Sequence, residues 1–139
     1  MSYPYNEVYV KYIEKVEALS KPTVVIIDPE SNGDENDKEF IYSKDTKAGE
    51  LRITLRIGLT QDMTAICYIY KVSALNGSIE FDTQCSYGDE NPNENLKLLS
   101  KSVTEDLDET LTMLRPLDEL TSESVATDMI KLIKDAIVV

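Results

Sequence analysis

The sequence predicts an α+β fold: an antiparallel sheet of about five strands in a meander, with an N-terminal helix and two C-terminal helices. Three observations lead there. Leu51, Ile53, Leu55, Ile57 and Leu59 alternate strictly with Arg52, Thr54, Arg56 and Gly58, the period of a strand with one buried face. Asn76-Gly77, between two β-rich segments, is the strongest short-range hairpin signal a chain can carry. The regions before and after the middle repeat their apolar residues every three or four positions, the helical period. The chain has 139 residues, 42% of them apolar, which fits one globular domain spanning 1–139.

Residues 4–20 read as the first helix. Tyr5, Val8, Tyr9, Tyr12, Ile13, Val16 and Leu19 form one face, Pro4 suits the first helical position, and Pro22 ends the helix. Tyrosines supply much of that face, so their hydroxyls must reach water or a partner. Residues 23–27 (TVVII) are a continuous β-branched run, which reads as a strand covered on both faces and hence interior to the sheet. An acidic loop follows, then a short strand at 40–43 and a turn over 44–49.

The next strands can be checked against one another. A turn at Asn76-Gly77 sets Ala74 opposite Ile79, Val72 opposite Phe81, Tyr70 opposite Thr83 and Tyr68 opposite Cys85. A two-residue turn at Gln61-Asp62 sets Ile57 opposite Ile66, Leu55 opposite Tyr68 and Ile53 opposite Tyr70. Both registers gather the apolar residues on one face, which a one-residue slip would destroy. Cys67 and Cys85 then point to opposite faces and cannot meet in disulfide geometry, so two reduced thiols are expected.

Asn91-Pro92-Asn93-Glu94 is a helix start, with an N-cap residue followed by proline. Leu96, Leu99, Val103, Leu107, Leu111 and Leu114 form a narrow apolar stripe, and Pro116 is expected to stop the helix. Thr121 then caps the last helix, with Leu120 and Val125 as a hydrophobic staple. Val125, Met129, Ile130, Leu132, Ile133, Ala136 and Ile137 give that helix an apolar arc wider than one packing partner uses. The second partner expected from this width is another copy of the chain, a homodimer through the C-terminal helix.

Composition excludes several functions. There are 26 acidic residues against 14 basic ones, a net charge of −12, which repels nucleic acid and anionic membranes and favours basic protein partners or cations. No histidine is present, so neither a Ser–His–Asp nor a Cys–His arrangement can form within the chain. Two cysteines are too few for a thiolate zinc site. The opening MSYPYNEVYV has no basic region leading into an apolar run, and no segment approaches the ~20 apolar residues that span a bilayer, so a cytoplasmic protein is expected.

Two acidic constellations remain. Residues 28–39 place oxygen ligands at positions 1, 3, 5, 7, 9 and 12 with glycine at 6: Asp28, Glu30, Asn32, Asp34, Asn36 and Glu39, around Gly33. This resembles the spacing of an EF-hand calcium loop, in which alternate residues converge oxygens on one ion and the last carboxylate supplies two. It departs from that family in the strand-like run before it, in Glu35 at position 8 and in Glu30 at position 3. The resemblance implies calcium as a possible ligand. The second constellation is Glu105, Asp106, Asp108 and Glu109, of which Glu105, Asp108 and Glu109 share the helix face opposite the leucine stripe and form a candidate docking surface for a basic partner. Nothing in the sequence places two carboxylates in an apolar pocket that would tune them for acid–base work.

The expected function is therefore that of a small acidic, non-enzymatic binding or adaptor protein, in size and acidity similar to small secretion-type chaperones, a likeness of class that no motif carries. A calcium-binding protein using 28–39 is the first alternative, and a carboxylate-dependent enzyme the second.

Overall fold

The computed structural model describes residues 4–27, 38–59, 65–74, 77–88 and 91–139, with the backbone alone for residues 4–6 and 27. Its elements are α1 (Pro4–Ser20), β1 (Val24–Ile27), β2 (Lys38–Thr46), β3 (Gly49–Leu59), β4 (Ile66–Ala74), β5 (Ile79–Tyr87), α2 (Pro92–Thr121) and α3 (Val125–Ile137). The strands lie in the sheet in chain order, each antiparallel to the next. The expected α+β meander with one leading and two trailing helices is the fold observed.

All three helices contribute to one layer on one face of the sheet. Leu51, Ile53, Leu55 and Ile57 of β3, Tyr68, Tyr70 and Val72 of β4, and Phe40 and Tyr42 of β2 are buried beneath it. Each such side chain contributes about 1.5–3 kcal/mol on leaving water. Tyr70 and Phe81 meet edge-on at 5.9 Å, so Leu55, Tyr70 and Phe81 share one side as the alternation requires. α1 lays Tyr9, Tyr12, Ile13 and Val16 against this core. Its tyrosine hydroxyls find the partners that burial demands: Tyr9 donates to the Ile57 carbonyl at 2.6 Å and Tyr12 to the Ile137 carbonyl at 2.7 Å. The helix ends at Lys21, whose φ of 50° puts a residue with a side chain in the left-handed conformation just before Pro22.

The β4–β5 register is the expected one at all four positions, with Gly77 at φ 88° in the connection. Between β3 and β4 the register differs by two residues. Ile57 faces Tyr68, Leu55 faces Tyr70 and Ile53 faces Val72, because the first pair of the ladder is Leu59 with Ile66 and the connection is longer than two residues. A shift of two preserves the face of every side chain, so the apolar set stays together.

Four further expectations are corrected. β2 is longer than 40–43, and its turn is tighter than 44–49: Thr46 pairs with Gly49, Thr46 Oγ1 accepts from the Ala48 amide, and Gly49 takes a φ of 127°. β1 is an edge strand, not an interior one, with Val24 47% and Ile26 42% exposed. α2 runs through Pro116 to Thr121. The proline removes one backbone donor, but the turn beyond it is held by the buried Leu117 and by Asp118, whose carboxylate accepts from the Ala126 amide (3.0 Å), the Thr127 amide (3.2 Å) and the Thr127 hydroxyl (2.8 Å). Asp118 thus does the capping that Thr121 was expected to do. Thr121 is instead buried at the end of α2, and Leu120 is 68% exposed and makes no staple. The start of α2 is as expected: the Asn91 side chain accepts from the Asn93 amide at 3.0 Å, with Pro92 at the first position.

α3 packs between α1 and α2. Ala126, Ile130, Ile133, Ala136 and Ile137 are all within 1% of full burial inside this one chain. Lys134 reaches Asp108 of α2 at 2.6 Å, and Lys15 of α1 donates to the Val138 carbonyl. Among the described residues no helix is long and apolar enough to cross a membrane.

Candidate functional site

Three regions hold the residues singled out from sequence. The first is the outward face of α2. Glu105, Asp108 and Glu109 are all exposed there, on the side away from the sheet, as the stripe of leucines requires. Asp108 is paired with Lys134, which ties α2 to α3 and leaves Glu105 and Glu109 flanking a partly neutralised centre. The pair is solvent-exposed and contributes little to stability on its own.

The second region is the acidic connection between β1 and β2. Asp28, Glu30, Asn32, Asp34 and Asn36 lie outside the described residues. Glu39 is described: it belongs to β2, on the sheet face away from the helices, between Ile26 of β1 and Arg56 of β3 in the ladder. Among the described residues no group of three or more Cys, Asp or Glu side chains is gathered closely enough to hold a metal ion.

The third region was not anticipated. Asp106 was counted in sequence with the acidic cluster, but α2 turns it toward the sheet. With Ser102 and Thr110 it makes a polar row at spacings of four along one face, and three tyrosines rise to meet it. Tyr87 pairs with Ser102, the Tyr68 hydroxyl donates to Asp106 Oδ2 at 3.0 Å, and the Tyr70 hydroxyl lies near Thr110 without a bond of good geometry to it. Cys85 sits beside both Tyr68 and Tyr87, on the helix side of the sheet. Cys67 points to the other side and donates to the Gly58 carbonyl at 3.4 Å. Both cysteines are free thiols, as the opposed faces require. A sequence signal for the row existed: Asp106 lies between Val103 and Leu107, on the border of the apolar stripe.

Burial sets the electrostatics of this row. Desolvation pushes the Asp106 carboxyl above its ordinary value of 3.8, the hydrogen bond from Tyr68 works against that rise, and the charges of Glu109 and Glu105 add to it. Desolvation also raises the Tyr68 phenol, and its bonds to Cys85 and Asp106 raise it further. A carboxyl with a raised value favours the fold when protonated, and that contribution is lost as the pH climbs through the folded value. Asp106→Asn keeps the acceptor for Tyr68 and removes the charge. It is therefore expected to gain no more than about 1 kcal/mol at pH 7, because solvent screens the half-exposed group, and nothing at pH 3. Tyr68→Phe leaves the carboxylate without its donor and should lose about 1–2 kcal/mol at pH 7. Urea midpoints at the two pH values check both, and equal gains for Asp106→Asn at pH 3 and pH 7 would show that charge is not the cause.

In chemical terms the row is a polar joint between helix and sheet, with Tyr68 only 1% exposed. The sheet's other face is different. Among the described residues no helix covers it, and across it run Val24, Ile26, Ile41 and Ile69 with Arg52, Arg56 and Lys71 at the centre and Glu80 and Asp82 along β5. A shallow depression of about 430 Å³ opens there over Arg52, Thr54, Lys71, Ser73, Glu80 and Asp82. Comparison with protein-family models, with curated proteins and with solved structures finds no match.

Proposed function

We propose that this chain is a small acidic, non-enzymatic binding protein that acts through a protein surface. The observation that carries the reading is the one-sided sheet. Antiparallel sheets often leave one face to water, and that face then reads as polar. Here the uncovered face keeps Val24 and Ile26 about half exposed beside Ile41. Exposed apolar side chains grouped on one face, rimmed by charge, are a feature of surfaces that take partners.

Net charge selects the partner. A chain at −12 attracts basic proteins and repels nucleic acid and anionic lipid. Glu105, Asp108 and Glu109 present that charge in one exposed row. The two free thiols fit a reducing compartment such as the cytoplasm. A homodimer through the last helix loses its motive, because the wide apolar arc of α3 is taken up by α1 and α2 of the same chain.

The test is a comparison of what three versions of the chain retain from an extract of their own cells at about 0.15 M salt. One is the wild type, one carries Glu105→Lys, Asp108→Lys and Glu109→Lys, and one carries Arg52→Glu and Lys71→Glu. All five positions are exposed, so the fold should persist. A protein held by the wild type and released by either variant supports the reading. A wild type that holds nothing the two variants do not also hold refutes both faces.

A further inference from the structure

The helix layer covers the sheet unevenly. On β4 the inward side chains Ile66, Tyr68, Tyr70, Val72 and Ala74 are all buried. On β5 the inward ones, Ile79, Phe81, Thr83, Cys85 and Tyr87, are only half-buried. β5 is the last strand of the sheet, and all nine of its residues pair with β4. Its outer edge has no neighbouring strand among the described residues, so alternate backbone N–H and C=O groups point outward along it. Leu98, one helical turn before the Ser102 that pairs with Tyr87, is 44% exposed on the same side of α2. A strand laid along β5 would have backbone to pair with and a row of half-covered side chains to close over.

The edge itself carries charge of one sign. β5 contains Glu80 and Asp82 and no base, and both carboxylates are exposed on the uncovered face. Lys71 lies opposite Asp82 on β4, but among the described residues neither Glu80 nor Asp82 is ion-paired. α2 adds acids on the other side of the strand. Asp106 is close enough to raise the Tyr87 phenol, and Glu109 and Glu105 are close enough to raise the Asp106 carboxyl.

Charge on an edge keeps it from pairing with wrong chains, and here it also selects the right one. A second copy of β5 would bring two more carboxylates to the same face and a second net charge of −12, with no base on either strand. A basic segment gains from the same field.

We propose that β5 is a docking edge that takes an extended basic segment of a partner protein as a sixth strand, with Lys or Arg facing Glu80 and Asp82 and the alternate apolar residues facing Phe81 and Tyr87. The inference rests on the binding-protein reading above and names how the partner is held. Main-chain bonds give such a complex its affinity, and alternate side chains give its selectivity.

A fluorescent nonapeptide of alternating valine and lysine is the probe, and the full chain is titrated into it while anisotropy is followed. One control is the same peptide N-methylated at every residue, which keeps the charge and the side chains but cannot donate a backbone hydrogen bond. A second has the same composition with its lysines and valines in two blocks, which cannot turn charge to one face and apolar groups to the other. The probe should bind at least about tenfold tighter than either control and slow hydrogen exchange at the amides of Ile79–Tyr87 that β4 leaves unpaired. Glu80→Lys with Asp82→Lys should weaken the probe at least about tenfold, and the uncharged Glu80→Gln with Asp82→Asn severalfold. Both positions are exposed, so the fold should persist. Equal binding of the probe and either control overturns the docking edge, as does failure of the probe to bind at millimolar protein. Binding that the β5 variants leave unchanged, but that Glu105→Lys, Asp108→Lys and Glu109→Lys together abolish, overturns the edge while leaving a protein that takes basic partners on α2. Sedimentation showing a wild-type dimer whose formation protects the same β5 amides would assign the edge to a second copy and overturn the proposal in that way.

Discussion

Raising the pH from 10 toward about 12 is expected to unfold the chain in one cooperative step, with its buried tyrosines ionising as it opens. Burial lifts the phenols of Tyr12, Tyr68 and Tyr70 well above their ordinary value of 10.0. Tyr42 is pushed up to about 12 by burial, against a smaller opposing effect of its hydrogen bond with Ser20. A group whose value is raised by folding contributes stability that is whole below its unfolded value and is lost as the pH rises toward its folded one. In the unfolded chain each phenol gives up its proton near pH 10. Each pH unit above that removes about 1.4 kcal/mol per tyrosine that stays protonated in the fold. Four together remove about 5–6 kcal/mol per unit, against a total stability of about 5–15 kcal/mol for a domain. The fold should therefore fail within about one to three units of pH 10. Phenolate absorbance and far-UV circular dichroism, followed together, check this: the two should change at one midpoint. Tyr12→Phe sharpens the test. It loses the bond to the Ile137 carbonyl, about 1 kcal/mol at pH 7, yet should lose less than the wild type on going to high pH. Phenols that titrate smoothly near pH 10 while the dichroism stays constant would mean that the tyrosines are not held out of water.

Much of this arrangement was legible in the sequence because periodicity reports burial on one face. The tyrosines of β4 and the leucines and isoleucines of β3 alternate, and alternation alone puts them under the helices. What lies beyond one element's own period was not legible. TVVII reads as covered on both faces, and in β1 it is not, because sheet order decides what covers a strand and composition does not. The β3–β4 register moved by two because the length of a connection depends on where the ladder starts, which alternating residues leave open in steps of two. Pro116 is a helix stop by local rule, overridden here by the burial of Leu117 and the three bonds accepted by Asp118. At the candidate site, Glu105, Asp108 and Glu109 were placed on the outward face by spacing alone. The same spacing left Asp106 off that face but did not show that it turns to the sheet, because one position along a helix is 100° of rotation and the border of a stripe is where that matters most.

Substituting Ile133 by alanine is expected to lose about 2–5 kcal/mol of stability, and substituting its neighbour Leu132 less than about 1 kcal/mol. Both lie on the apolar arc that looked too wide for one partner, and the structure separates them: Ile133 is 0% exposed, Leu132 38%. Ile133 is closed in at the junction where α3 meets α1 and α2, so the methyls removed leave a cavity that a thirteen-residue helix held on both sides cannot collapse to fill. The same geometry makes a second statement. If the arc is satisfied within one chain, unfolding is unimolecular, and both the wild-type midpoint and the Ile133→Ala loss stay constant over a hundredfold range of protein concentration. If part of the arc were satisfied by another copy, mass action would raise the wild-type midpoint with concentration, and the Leu132 substitution would remove that dependence. Chemical denaturation at two concentrations distinguishes the cases without knowledge of any ligand. It also bears on where a partner binds, since a helix whose apolar residues already hold α1 and α2 together has little left to offer another protein, and the uncovered side of the sheet has more.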